Sequence, residues 1–327
     1  MTLQDVARQA GVSAMTVSRV INHTGRISPA TRKHVFEVID ALGYRPSRAA
    51  RTLVTTKTWM IGVVVPDITN PYFAEIVHGI EDTAWDAGYG VLLANTNESP
   101  TREATLLGQI DESAVDGIIA VSSRLSNDEL EAFLEPHHAV VTINRQFPAL
   151  ASCVRPRHGY GYRAHQAALY LARAGHTRIG YISLIRSLIN MQIEDLIARV
   201  TEAGITIRRE WCATCLPTWA AGYETGRHLL ETQPHLTAIV CGNDLVALGV
   251  MRAAVESGRR IPDDLALIGG DDILLASQVT PPLTTFSVPK YEVGANAARL
   301  LFKRVEGDLT YREFLFDEEL IERGSAP

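Results

Sequence analysis

Two sets of residues in this chain have the types and spacing to do chemistry. The first lies directly after apolar runs. Asp67, Asn70 and Phe73 follow the run 60–65, Asn95 follows 91–94, Asn144 and Arg145 follow 139–143, Asn243 and Asp244 follow 238–241, and Asp271 follows 265–268. In an open parallel sheet, ligands bind beyond the carboxyl ends of the strands. Carboxylates and amides at such ends hold hydroxyl and amino groups, while an aromatic face such as Phe73 or Trp219 covers the apolar side of a ring. The implied chemistry is reversible capture of a small polar molecule. Asn70 and Asn243 also stand where helix N-caps are expected, so each carries a structural reading beside the binding one.

The second set is near the N-terminus. Thr2 can cap a first helix with Asp5 three positions on; Val6, Ala7 and Ala10 line one face, and Gly11 ends it. Ser13 can cap a second helix in which Val17, Val20 and Ile21 face a small core, leaving Ala14, Met15, Ser18 and Arg19 outward. A third helix opens at Ser28-Pro29 and closes at Gly43. Three short helices with one outward face carrying an arginine read as a helix-turn-helix, whose chemistry is contact with base edges in a major groove.

Nothing argues for catalysis. Asp271 and Asp272 are adjacent and point in different directions, and the ten histidines show no metal spacing, with His137-His138 expected on a solvated loop. Gly269-Gly270 lack the lysine and helix context of a phosphate loop. Cys212 and Cys215 form a lone C-x-x-C, which reads as ordinary small residues beside a strand. No metal and no cofactor is expected.

The elements that position these residues follow from length, charge and periodicity. With 327 residues, 46% of them hydrophobic, the chain has room for two to three domains. No apolar run approaches the ~20 residues of a membrane span, and no signal-peptide core is evident, so a cytoplasmic protein without membrane contact is expected. The net charge of −6 conceals an asymmetry. Residues 1–58 carry nine Lys/Arg against Asp5, Glu37 and Asp40, hence +6, which leaves −12 on the remainder. A basic head on an acidic body suits a protein that meets phosphates at one end only. From residue 60 onward, strands (60–65, 91–94, 117–121, 139–143, 179–182, 238–241, 265–268) alternate with helices (71–87, from about 101, 126–134, 162–174, 190–203, 243–257). Alternation of this kind means α/β architecture with parallel sheets covered on both faces.

The run LQDVARQAGVSAMTVSRVINHTGRISPATRKHVFEVIDALGYRPSRAARTL contains D-V-A-x-x-A-G-V-S, T-V-S-R-V-I-N, G-Y-x-P and A-R-x-L in that order. It resembles the head and hinge of the lactose-repressor/galactose-repressor (LacI/GalR) family of bacterial transcription regulators, and the likeness continues over nearly the whole chain. The resemblance implies an all-α helix-turn-helix head at 1–46, a hinge at 47–58 and a two-lobed body like a periplasmic binding protein at 59–327. Lobe 1 would span about 59–155 and 287–311, and lobe 2 about 156–286 and 312–327, so the strand near Phe314 to Phe316 would return to the second lobe. Contacts to double-stranded DNA would come from Ser13, Ala14, Met15, Thr16, Ser18, Arg19 and Asn22, and from Arg48, Ala49, Arg51 and Leu53 of the hinge. Ser47 to Leu53 is too short to hold a helix alone in water, so it should fold on DNA, where the resemblance has Leu53 wedge into the minor groove.

With these strand-end residues and the family position of Asn190 taken together, effector contacts are expected at Asp67, Asn70, Phe73, Asn144, Arg145, Asn190, Trp219, Asn243 and Asp271. The chain departs from the family pattern at two of its cleft positions. Asn190 stands where many members carry an arginine, with Asp195 where a glycine would follow. The usual Asp-Asn pair is replaced around Arg157-His158-Gly159, so Arg157 or Arg186 would have to supply the positive charge. The implied function is repression at a palindromic operator by a homodimer, switched by a sugar-class metabolite, without a C-terminal coiled coil for tetramers. The alternatives are a solute-binding protein of a transport system, a regulator with a degenerate effector site, or an enzyme built on the same fold.

Overall fold

The computed structural model describes residues 2–21, 25–44, 57–112, 115–159, 161–184, 191–202 and 204–327. Asn22, Arg48, Ala49, Arg51, Leu53, Arg186 and Asn190 lie outside the described residues. The chain divides into two units, Met1–Thr58 and Trp59–Pro327.

The first unit is built from local signals. Helix α1 (Leu3–Ala10) opens on a capping box in which the Asp5 carboxylate accepts from the Thr2 backbone N–H at 2.8 Å and the Thr2 hydroxyl accepts from Asp5 N–H at 3.3 Å. It closes at Gly11, whose φ of +64° is left-handed. Helix α2 (Ala14–Ile21) follows, with Ser13 Oγ accepting from Thr16 N–H at 3.1 Å. Helix α3 (Pro29–Leu42) is capped by Ser28 and carries proline in its first turn. Val6, Ala7, Ala10, Val17, Val20, Val35, Val38, Ile39 and Tyr44 form one buried cluster, with Ile21 half-buried at its edge. Each valine fully removed from water contributes about 1.5–3 kcal/mol before chain entropy is set against it, so a domain this small rests on a handful of side chains.

The second unit contains two parallel sheets. In the first, β1 (Met60–Val65), β2 (Gly90–Asn95), β3 (Gly117–Val121), β4 (Val140–Ile143), β5 (Ser152–Pro156) and β11 (Glu313–Phe316) lie in the order β11-β5-β4-β3-β1-β2. In the second, β6 (Ile179–Leu184), β7 (Cys212–Cys215), β8 (Ala238–Cys241) and β9 (Ala266–Ile268) lie in the order β7-β6-β8-β9. A short antiparallel pair, β10 (Thr285–Ser287) with β12 (Glu319–Ile321), extends the second sheet through parallel bridges Ile268↔Thr284 and Asp271↔Ser287. The inner strands are buried along their length because helices cover both faces: β3, β4, β6 and β8 have no exposed residue.

One expectation about the path is corrected. The strand at 313–316 does not enter the second lobe; β11 pairs in parallel with β5, from Glu313↔Cys153 to Phe316↔Pro156, and closes the edge of the first sheet. Arg155 Nε donates to Glu313 Oε1 at 2.8 Å and Phe316 is buried, so both faces of this strand are paid for within the first lobe. The chain crosses only after Phe316, reaching β12 at Glu319.

Covering the first sheet, α4 (Pro71–Asp86), α5 (Pro100–Glu112) and α6 (Asn127–Leu134) precede α12 (Lys290–Val305). The second lobe uses α7 (Tyr162–Arg173), α8 (Met191–Glu202), α9 (Trp219–Thr232), α10 (Asp244–Glu256) and the short α11 (Leu274–Gln278). Each lobe has one helix pair in backbone contact through glycines. A Cβ on Gly79 or Gly294 would come within 3.0 Å of a carbonyl of the facing helix in the α4–α12 pair, and the same holds for Gly222 and Gly249 in the α9–α10 pair.

Candidate functional site

The carboxyl ends of the two sheets open on one cavity. Of the residues singled out from sequence, Asn70, Phe73, Asn144, Asn243 and Asp271 line it, together with Arg124, Arg163, Glu318, Tyr72 and Phe286. Asn70 caps α4, its side-chain oxygen accepting from Tyr72 N–H at 3.0 Å, and Asn243 caps α10, accepting from Val246 N–H at 2.9 Å. Both structural and positional readings of these asparagines therefore hold at once: the cap fixes one end of the amide at the cavity wall. Asn144 takes a left-handed backbone, φ +65°, and its Nδ2 donates to Ser122 Oγ at 2.8 Å. A non-glycine residue in that region costs energy that the surrounding contacts must hold in place, a common feature of binding sites.

Asp271 is set by a rigid neighbourhood. Asp244, wholly buried at the start of α10, accepts from Ile273 N–H at 2.8 Å and from the Thr285 hydroxyl, tying the segment after β9 to β10. Burial raises the Asp244 pKa above the ordinary carboxylate value, although both hydrogen bonds oppose the shift. From the first lobe, Lys290 Nζ donates to the carbonyls of Asp271 and Asp272, each at 2.8 Å. The Asp272 carboxylate turns away to Arg323, at 2.6 Å. The Asp271 carboxylate meets Arg163, whose Nη1 lies 3.3 Å from Oδ1 and donates to Gly270 O at 3.0 Å, while Arg163 Nε lies 3.1 Å from Glu318 Oε1. Burial alone would weaken the charged form of Arg163, but Glu318 and Asp271 together hold its pKa above the ordinary arginine value.

Four candidates are not among the residues lining this cavity. Asp67 accepts from Thr69 N–H and hydroxyl at 2.9 and 2.8 Å, bending the loop after β1. Asn95 accepts from Ile68 N–H at 2.9 Å and steadies the same loop. Arg145 donates to Leu125 O at 2.9 Å and Asn127 Oδ1 at 2.6 Å, so its fork is spent on the loop before α6. Trp219 is 46% exposed and stacks on Tyr223 one helical turn on, ring centroids 5.6 Å apart. Arg157 pairs with Asp317 at 2.8 Å on the surface and does not supply the cleft cation. Cys212 and Cys215 are buried thiols, each pushed up to about 11 by burial, hence protonated at neutral pH.

In the first unit, α2 presents Met15 at 63% exposure and Arg19 exposed beside it, with Ala14, Thr16 and Ser18 half-buried. The Ser13 and Thr16 hydroxyls are 2.9 Å apart, so these two side chains serve the cap as well as the outward face. Arg8 is drawn to Asp5 at 3.0 Å, with Arg8 exposed and Asp5 half-buried.

Residues 2–47 match the family description "Bacterial regulatory proteins, lacI family", and residues 168–326 match "Periplasmic binding protein-like domain". Catabolite control protein A of Priestia megaterium is 36% identical over 311 residues, 93% of this chain and 92% of that protein. The HTH-type transcriptional repressor PurR of Mannheimia succiniciproducens is 33% identical over 327 residues, 99% of this chain and 98% of that one. The chain belongs to the LacI family. It is accordingly a DNA-binding transcription regulator. Among solved structures, the transcriptional regulator CelR–cellobiose complex matches with a TM-score of 0.72 at 28% identity over the whole of both chains. The lac repressor dimer bound to operator and the anti-inducer ONPF matches with a TM-score of 0.87 at 24% identity, covering 99% of this chain and 98% of that one, a likeness of fold. No helix among the described residues is long and apolar enough to cross a membrane.

For this LacI-family chain, sequence reasoning missed Arg163 and Glu318. A signal for the first was present. Arginine in the opening turn of a helix opposes the helix dipole, so a basic residue directly after the expected start of α7 is a mild signal of a carboxylate nearby. Glu318 follows Asp317 just outside a strand and offers no comparable signal.

Proposed function

We propose that this regulator is a homodimeric repressor of a palindromic operator, released or strengthened by a small metabolite, of sugar or sugar-derivative class, captured between the two lobes. The carrying observation is the cavity at the carboxyl ends of both sheets, walled by capped asparagines, an aromatic face and one set carboxylate. The relatives named as repressors support the sign, and the cellobiose complex supports the ligand class. The head at 1–46 would read the operator, the segment 47–58 would fold against it, and the body would respond to ligand in the cytoplasm. Two copies suit the task because one helix-turn-helix head covers too little DNA for a specific site. The protein acts by binding: Asp271 and Asp272 face different arginines and make no acid/base pair.

Mapping the bound sites across the genome supplies the operator, and the neighbouring genes nominate metabolites. Fluorescence anisotropy on that operator, with and without each nominee, then reads the switch. Binding of one protomer per site, or operator affinity indifferent to every nominee that binds the free protein, contradicts the proposal.

A further inference from the structure

One short bend of the second lobe is held from both lobes. After β9, Asp271, Asp272 and Ile273 turn the chain, and Asp272 takes a left-handed backbone, φ +51°. A non-glycine residue keeps that conformation only where its surroundings fix it. The amide groups of the bend are satisfied within the second lobe. The N–H groups of Asp271 and Asp272 donate to the Thr285 hydroxyl at 3.3 and 3.4 Å, and that of Ile273 donates to Asp244 Oδ2 at 2.8 Å. The carbonyls of Asp271 and Asp272 turn to the first lobe, where both accept from Lys290 Nζ at 2.8 Å. Lys290 opens α12, its side chain is 5% exposed, and its ammonium lies 3.6 Å from Glu75 on α4. A buried cation at the positive end of a helix is costly, so these partners must hold it. Without the ammonium, two carbonyls at the lobe boundary lose a charged donor. Helix α12 is in backbone contact with α4 at Gly79 and Gly294, and the first turn of α4 brings Asn70, Tyr72 and Phe73 to the cavity that Asp271 also lines. One side chain thus joins cavity residues of the two lobes.

We propose that Lys290 is a positioning residue that pins the Asp271–Asp272 bend to the α4–α12 pair and so fixes the resting angle between the lobes. A ligand that draws on Asp271 then acts on the first lobe through this ammonium, a consequence that rests on the effector reading of the cleft.

The test uses the full chain. Because the four native cysteines are buried, nitroxide labels go to cysteines introduced at two exposed positions, Glu131→Cys on α6 and Arg173→Cys on α7. Electron–electron resonance reads the distance between the lobes, with labelled chain mixed into excess unlabelled chain so that labels pair within one molecule. The otherwise wild-type protein should give a single narrow distribution. Lys290→Met, which donates nothing, should broaden or split it, and Lys290→Gln, neutral with a shorter donor, should do the same. Glu75→Gln keeps both carbonyl bonds and should leave the distribution unchanged. A lowered unfolding temperature with an unaltered distribution in Lys290→Met would reduce the lysine to packing and overturn the assignment, as would an equal disturbance from Glu75→Gln. If Lys290→Met does not fold, Lys290→Gln decides alone, and an unaltered distribution there overturns it. Ligand-free affinity for an operator selected by the wild type from random duplexes should shift roughly fivefold or more in Lys290→Met, the scale of a coupling between sites. An altered distribution with unaltered operator affinity keeps the pin and removes lobe angle as the regulator, so the two failures are distinguishable.

Discussion

At the scale of single residues, Arg19 is the long basic side chain on the outward face of α2, and its solvated position leaves it available to a base edge. Arg19→Ala should cost roughly 1–3 kcal/mol of operator affinity and relax preference at one position per half-site. Equal loss on operator and random DNA would make it a phosphate contact instead. Glu313 gives a different kind of test. Hydrogen bonds from Arg155 and then Tyr311 hold its pKa below the ordinary 4.5. A carboxylate with a depressed folded pKa stabilises the protein above its unfolded value and loses that contribution as pH falls through the folded one. Glu313→Ala should therefore cost about 1.5–3 kcal/mol at neutral pH in urea unfolding, and the gap from wild type should narrow below pH 4.5. A gap independent of pH would show that Glu313 acts through packing. Asn70 and Asn243 were legible as caps because capping is local, whereas the cleft-facing role of Arg163 depends on Asp271, 108 residues away.

At the scale of elements, the glycine contacts decide how closely helices approach. Gly294→Ala pushes a methyl into a carbonyl of α4, and backbone cannot step aside as a side chain can. It should destabilise the body by roughly 3 kcal/mol or more. Gly108, on the exposed side of α5 with nothing within 4 Å of an added Cβ, is the control. Gly108→Ala should stabilise by about 0.5–1 kcal/mol through helix propensity. If both substitutions behave alike, the α4–α12 contact is looser than described. The segment 47–53 poses a question that its sequence alone frames: seven residues cannot hold a helix in water without a partner. Leu53→Ala should weaken operator binding and reduce DNA bending while leaving ligand affinity of the free protein unchanged. Wild-type operator affinity in that variant would make the segment a plain tether.

At the scale of the whole molecule, charge and topology set what the chain meets. The +6 of residues 1–58 against −12 elsewhere concentrates DNA affinity in one end. Through Arg8, Arg32, Lys33, Arg48 and Arg51 of two heads, operator affinity should fall by roughly a thousandfold or more between ~50 and ~200 mM salt. A nearly flat dependence would remove the head as the DNA-binding element. What the sequence by itself determined is whatever a few consecutive residues settle: the capping box at Thr2 and Asp5, the left-handed stops at Gly11 and Gly43, and the alternation of buried strand and amphipathic helix. Those signals cost and gain energy within one or two turns of chain, so they are readable in order. Tertiary structure alone decided that 313–316 joins β5, that Arg145 bonds the loop before α6, and that Arg163 and Glu318 line the cleft. Each of these is a choice among partners far apart in sequence, and an isolated side chain carries no record of which distant strand end or carboxylate will be brought beside it.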